Sequence, residues 1–545
     1  MLTSEPSTTS SQASGRSLGV VLLVAVAGHL TLFPKVADLD AFYHIGHAAA
    51  YLERGLFDTS FPWATQSIIS DRGADLWWGF HLLLTPFAAL GSVEIAIRIA
   101  ALALTLGLAA GYFWVLRRHS VVGPGWWTAL FLVAVPNVFF RHLMVRPHVI
   151  SLALSVLLLS VLVRGRWWYA ALLSAAITWV HLGLFWMAPG IVIAYSVVRL
   201  LRDVGSPRDA TSRHVGLIPA ISAVFLGTVA GWLMRPHPID AGALANVQII
   251  RLFAQKATEE PLLFAGELVP LPVMELVRTS WLFLSAWVLG VLAMLVYSAR
   301  DRLGGLRTEE RTLLLASTLI AMTFFALTLL SARRAMVEWV AFGFLALPLL
   351  WTYVINPVEK RAVRSTLAVV VMAHLAWAAG RHVINVRAAA FPADTMAEVS
   401  TFLAANSEPG EVVFHARWDN FGPLFARDRT NLYLGGMDPI FQFSHDPRSY
   451  WEFFYISADV NVEWTCDAFP CAAGIATDTY EVLKDHFGAR WVVVEPQRNP
   501  RFSLYLLNDP RYSLTLDTQG EAVFEVLGDP PPAGDGEGAT ALPDR

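Results

Sequence analysis

About eleven stretches of this chain are apolar for long enough to cross a bilayer, which leaves few folds open to it. They lie near residues 17–34, 94–116, 126–140, 148–164, 167–182, 183–201, 215–234, 279–298, 311–331, 335–355 and 363–380. Lipid offers no hydrogen-bond partners, so each backbone must satisfy itself as helix. With 55% hydrophobic and 15% charged residues, the chain is expected to be a polytopic α-helical membrane protein. From about residue 388 the apolar runs shorten. Glu411-Val412-Val413-Phe414 and Arg490-Trp491-Val492-Val493-Val494-Glu495 have the pattern of buried strands, and 394–406 and 478–487 that of helices. The expected organisation has four parts. A disordered cytoplasmic tail covers 1–16, with no cleavable signal pattern. A membrane domain follows over 17–380, with a first external loop at 35–93. A C-terminal soluble α/β domain covers 381–527, and a disordered tail 528–545. The net charge of −4 argues against nucleic acid as the main partner.

Charge sets the expected topology. Arg117 and Arg118, Arg164 and Arg166, Arg199 to Arg213, Arg300 to Arg311, and Lys360 to Arg364 form five basic clusters. Basic loops stay cytoplasmic. All five fall on one side if the N-terminus is inside and the apolar segment 76–92 lies along the membrane. The outer face then receives 35–75, Arg141 to His148, the turn at His181, Arg235 to Arg278, Ser331 to Arg334 and the C-terminal domain. Cys466 and Cys471, the only cysteines, then lie where a disulfide persists; the alternative is two free thiols.

The sharpest candidate for chemistry is Asp38-Leu39-Asp40-Ala41-Phe42-Tyr43-His44, directly after the first apolar run. Ionisable groups at that depth are costly and usually functional. In a helix, Asp40, His44 and His47 share one face. Three roles fit: a catalytic acid at Asp40 with His44 orienting it or touching phosphate, a helix cap by Asp38 or Asp40, and a metal site on Asp40, His44 and His47. Arg141 and Arg146 join two spans, and Arg333 and Arg334 break the charge rule between two others. Guanidinium groups clamp phosphate oxygens, so these four are candidate phosphate ligands. The structural alternatives are contacts with lipid head groups and pairing of Arg334 with Glu338. His181, among aromatics, fits a satisfied structural residue best. Glu267 offers a carboxylate in the longest outer loop of the membrane domain. Trp418-Asp419-Asn420-Phe421-Gly422 suits a binding loop or a plain chain reversal.

At these residues the chain resembles the GT-C superfamily of membrane glycosyltransferases, whose best-known member is the catalytic subunit of oligosaccharyltransferase. Asp40-Ala41-Phe42-Tyr43-His44 is similar to the Asp-Pro-Tyr-Tyr-His type of motif in that family's first external loop. Trp418-Asp419-Asn420-Phe421-Gly422 is similar to its Trp-Trp-Asp-Tyr-Gly acceptor motif, with one residue inserted. The resemblance implies Asp40 as the essential acid and Trp418 and Asp419 on the acceptor side, with Glu267 standing in for the glutamate of a mobile external loop. It also implies a divalent metal, Mg or Mn, at Asp40. The family's second external loop usually adds another acid, and Arg141 to His148 has none, which counts against that metal. The implied activity moves a sugar or oligosaccharide from a polyprenyl-phosphate or diphosphate carrier to a protein or glycan acceptor outside a prokaryotic inner membrane. A transporter or flippase, or a non-catalytic binding protein for lipid-linked sugars, is the alternative.

Overall fold

Proline and apolar length between them decide where the helices begin and stop. The structure is a computed structural model that describes residues 8–204, 216–258, 262–263, 265–299, 303, 306–355, 361–460, 462–472, 474 and 476–528. Of the expected tail at 528–545, all but Gly528 lies outside these residues. The chain divides into two compact units: Met1–Thr59, Gly73–Ile249 and Phe264–Thr395 in one, and Ser60–Arg72, Ile250–Leu263 and Met396–Arg545 in the other.

The first unit is helical. It begins with α1 (Thr8–Leu32), which extends into the Ser/Thr-rich stretch expected to be disordered, and α2 (Asp40–Arg54). Among the described residues six helices are long and apolar enough to span, and eight if two bent pairs each count as one; Leu18–Leu32 and Trp167–Val180 are shorter apolar helices. This is an integral membrane protein. The expected span 126–140 is broken: Pro136 cannot donate to the preceding turn, so one helix ends at Val133 and the next runs Pro136–His142. That second piece bends by 104° into Pro147–Val163. The segment 76–92 contains only the 11-residue helix Trp78–Ala88, about 16 Å long against a core of about 30 Å.

Leu217–Leu233 meets the backbone of Trp167–Val180 directly at two glycines. A Cβ on Gly227 would stand 2.1 Å from the Ala171 carbonyl oxygen, and one on Gly231 2.1 Å from that of Ala175. Small residues four apart permit such contact in lipid. Gly227→Leu is therefore expected to cost about 3 kcal/mol or more, whereas Gly107→Leu, with nothing within 4 Å, serves as the near-neutral control. Thermal unfolding of the two variants in detergent checks this; equal melting would mean the crossing tolerates bulk.

The second unit is α/β. Ten strands occur in the described chain: β1 (Lys35–Val36) and β3 (Phe391–Pro392), which pair with each other in the first unit, and β2 (Ala64–Thr65), β4 (Val412–His415), β5 (Leu432–Leu434), β6 (Trp464–Thr465), β7 (Thr477–Asp478), β8 (Ala489–Val494), β9 (Tyr512–Asp517) and β10 (Ala522–Val526) in the second. Six form one sheet in the order β2-β5-β4-β8-β10-β9, the first four pairing parallel and β10 pairing antiparallel with both β8 and β9. Phe414, Leu434, Val492, Val494, Phe502 and Phe524 are buried on it. Each such side chain contributes about 1.5–3 kcal/mol on burial. Cys466 and Cys471 form a disulfide in this unit.

Candidate active site

Leu39, not an aspartate, holds the N-cap position of α2, and no side chain caps that helix. The aspartates flanking it turn instead to Arg146. This arginine stands in the break between Pro136–His142 and Pro147–Val163, where its backbone is extended and Pro147 starts the next helix. Its Nε donates to Asp38 and its Nη2 lies 2.8 Å from Asp40, while Nη1 is 3.2 Å from Glu267. Arg141 holds the other Glu267 oxygen at 2.6 Å. Three carboxylates thus converge on two guanidinium groups.

The electrostatics of the three acids diverge. Burial lifts the Asp38 carboxyl above its usual range in spite of Arg146, and its Oδ1 has no hydrogen-bond partner among the described residues. Burial would lift Glu267 as well, but Arg141, Arg146 and Arg334 hold it well below the ordinary carboxylate range. Asp40 is the most open of the three, with a third of its side chain exposed.

The expected helical face of Asp40, His44 and His47 forms, but the three do not converge. His44 and His47 turn to a second, buried cluster around Asp75. His81 Nδ1 lies 2.6 Å from Asp75, His44 Nδ1 lies 2.8 Å from His81 Nε2, and the Tyr51 hydroxyl donates to Asp75 at 2.8 Å. Burial works against the Asp75 charge, yet His81, His47 and the Trp77 N–H keep its pKa below the usual range. Burial, then the neighbouring His81, pushes His47 down to about 3, so it is neutral. Arg235 anchors this region by donating to the carbonyls of Asp75, Leu76, Thr178 and Trp179. Sequence reasoning missed Asp75, His81 and Arg235. The available signal was an acid and a histidine within an apolar external segment.

The other candidates divide. Arg333 pairs with Glu275 at 3.5 Å. Arg334 acts electrostatically on Glu267 and His181, and no ion pair joins it to Glu338 among the described residues. His181 Nδ1 is buried and has no hydrogen-bond partner among the described residues. Glu267, expected on the acceptor side, instead binds the candidate phosphate arginines. Trp418 and Asp419 belong to the second unit, on the turn after β4, where Asp419 meets Arg417 at 3.3 Å and Arg498 at 3.7 Å. A divalent ion at Asp40 does not fit this arrangement. The Arg146 guanidinium already stands among the carboxylates that such an ion would need.

No known family profile matches the chain, and no curated protein matches it in sequence. Solved structures do. ArnT from Cupriavidus metallidurans in the apo state superposes with a TM-score of 0.53 at 14% identity, covering 95% of this chain and 98% of that one. ArnT from the same organism bound to undecaprenyl phosphate gives 0.54 at 13% identity, with 95% and 99% covered. The chain has the GT-C fold. The short helix at 78–88 lies in the same first loop as Asp38 and Asp40; Arg141, Arg146 and Glu267 come from later segments, and the α/β unit follows the last span.

Proposed function

We propose that this protein transfers a sugar or oligosaccharide from a polyprenyl-phosphate or diphosphate carrier to a protein or glycan acceptor, at the outer face of a prokaryotic inner membrane. The observation that carries this reading is the convergence of Asp38, Asp40 and Glu267 on Arg141 and Arg146, in a protein with the GT-C fold. The neighbour bound to undecaprenyl phosphate supports a carrier of that chemistry. The positive-inside rule supports a cytoplasmic N-terminus and an external second unit.

In this reaction an acceptor oxygen attacks the anomeric carbon, the bond from that carbon to the carrier phosphate breaks, and the phosphate leaves. Asp40 accepts the acceptor proton. A carboxylate clamped by Arg146 is a weak base. A phosphate that draws the Arg146 donors away raises the proton affinity of Asp40 at the moment the base is needed. Arg334 adds positive charge for the leaving phosphate. The unpaired Asp38 Oδ1 accepts from a sugar hydroxyl. In the second unit, strand order reverses at β4, with β5 and β8 on its two sides, and Trp418 and Asp419 follow β4 at its carboxyl end. Such a reversal is the usual place for ligands in parallel sheets, which supports an acceptor role for both residues.

Arg334→Lys keeps the charge and loses the planar fork. Donor binding by the reconstituted variant is expected to weaken about tenfold, a loss of about 1.4 kcal/mol. Arg333→Lys, whose partner is Glu275, is expected to change little. The function itself is tested in proteoliposomes carrying a labelled polyprenyl-phosphate sugar. Release of unglycosylated polyprenyl phosphate supports transfer. The two bent helix pairs favour a flippase as the second reading; movement of intact donor across the bilayer without cleavage would establish it instead.

A further inference from the structure

The cluster around Asp75 has a feature that its hydrogen bonds alone do not require. His47 Nε2, His81 Nδ1 and a carboxylate oxygen of Asp75 lie within 4.8 Å of one another, and all three residues are buried. Each is also held from behind. The Tyr43 hydroxyl is 3.1 Å from His47 Nδ1, His44 is 2.8 Å from His81 Nε2, and the Trp77 N–H donates to Asp75 Oδ1 at 2.8 Å. Outer partners of this kind fix ring orientation in metal sites, and they leave one donor of each residue facing inward.

We propose that His47, Asp75 and His81 bind a divalent transition ion, zinc by preference, in a site separate from the ion cluster at Asp40. Two imidazole nitrogens and one carboxylate oxygen suit zinc, with a fourth position left to water. The ion displaces the proton now shared between Asp75 and His81. The proton that His44 holds on Nδ1 then passes to His81 Nε2, which donates it back to His44 Nδ1, and His44 takes up the displaced proton on its Nε2. Zinc bonds of about 2.0–2.2 Å set tetrahedral ligand atoms roughly 3.3 Å apart, so the 2.6 Å Asp75–His81 contact opens by roughly 0.7 Å. The His47 Nε2–Asp75 contact, at 3.8 Å, closes slightly. The Tyr51 hydroxyl keeps its hydrogen bond to the Asp75 oxygen. The ion links α2 to the helix Trp78–Ala88, and so fixes the helix that begins at Asp40.

The test uses the full chain purified in detergent without chelator. Elemental analysis is expected to find about one zinc per chain. Wild-type protein stripped with a chelator and retitrated should regain the ion and melt several degrees higher. Cobalt titration of the stripped protein should give the visible absorption of a low-coordinate site, absent in His47→Gln and in Asp75→Asn. Asp40→Asn, whose carboxylate lies in the other cluster, should keep its zinc. No zinc and no cobalt spectrum in wild type would overturn the site, and so would equal binding by the two ligand variants. These readouts do not involve sugar transfer, so a protein that binds zinc but transfers nothing overturns the proposed function alone.

Discussion

Asp40→Asn is expected to lower sugar transfer by about 100-fold or more, the usual scale for loss of a general base. The substitution keeps the shape of the side chain and removes its charge and basicity. It leaves the start of α2 intact, because Leu39 holds the cap position and Asn serves about as well as Asp near a helix start. Expression should stay near normal, and donor binding should be as tight as wild type or tighter, because the Asp40 carboxylate no longer competes for Arg146. Arg146 retains Asp38 and Glu267, so the cluster survives the change. The decisive measurement is transfer by reconstituted protein with the acceptor in excess. Transfer at the wild-type rate would remove Asp40 from the chemistry and leave the fold as the only likeness to known glycosyltransferases.

The second large effect is on stability. Arg146→Met removes the one residue that touches Asp38, Asp40 and Glu267 together. Uncompensated buried charge costs about 3–5 kcal/mol. Asp40 is a third exposed and Arg141 still holds Glu267, so the lower end of that range, about 3 kcal/mol, is expected. The variant should melt well below wild type or fail to accumulate. Asp38→Asn in the same background should restore part of the loss, because the most buried acid then carries no charge. A single Arg146→Met variant that melts with wild type would mean that water, not the arginine, compensates these carboxylates.

Much of this was legible in the sequence because it is carried by local pattern. The apolar runs marked where the membrane helices lie, although among the described residues six to eight, not about eleven, are long and apolar enough to span, because prolines and short turns break or shorten the rest. The continuous apolar runs at Val412–Phe414 and Trp491–Val494 gave two central strands. Asp40 and Arg146 stood out as charged residues at the edges of greasy segments. What the sequence hid was long-range pairing. His47 was flagged on its helix face, but its partners Asp75 and His81 lie in another element, and no periodicity links them. Glu267 was assigned by loose likeness to the acceptor side, whereas charge draws it to Arg141 and Arg146. The break at Pro136 leaves no mark in hydropathy, which does not fall across 126–140, so only the proline itself signals it. The two-residue strand β2, from a loop hundreds of residues before its partner β5, has no local signature at all.

The ion cluster has one further consequence. Any anion that binds Arg141 and Arg146 competes with carboxylates tethered beside them, and tethered groups compete at effective concentrations of about millimolar or more. Each such anion is therefore held less tightly than bare arginines would hold it. Its departure is correspondingly fast, because the internal competitors close over the guanidinium groups as it leaves. In the proposed transfer, which ends with release of a polyprenyl phosphate, self-competition of this kind would turn affinity into turnover.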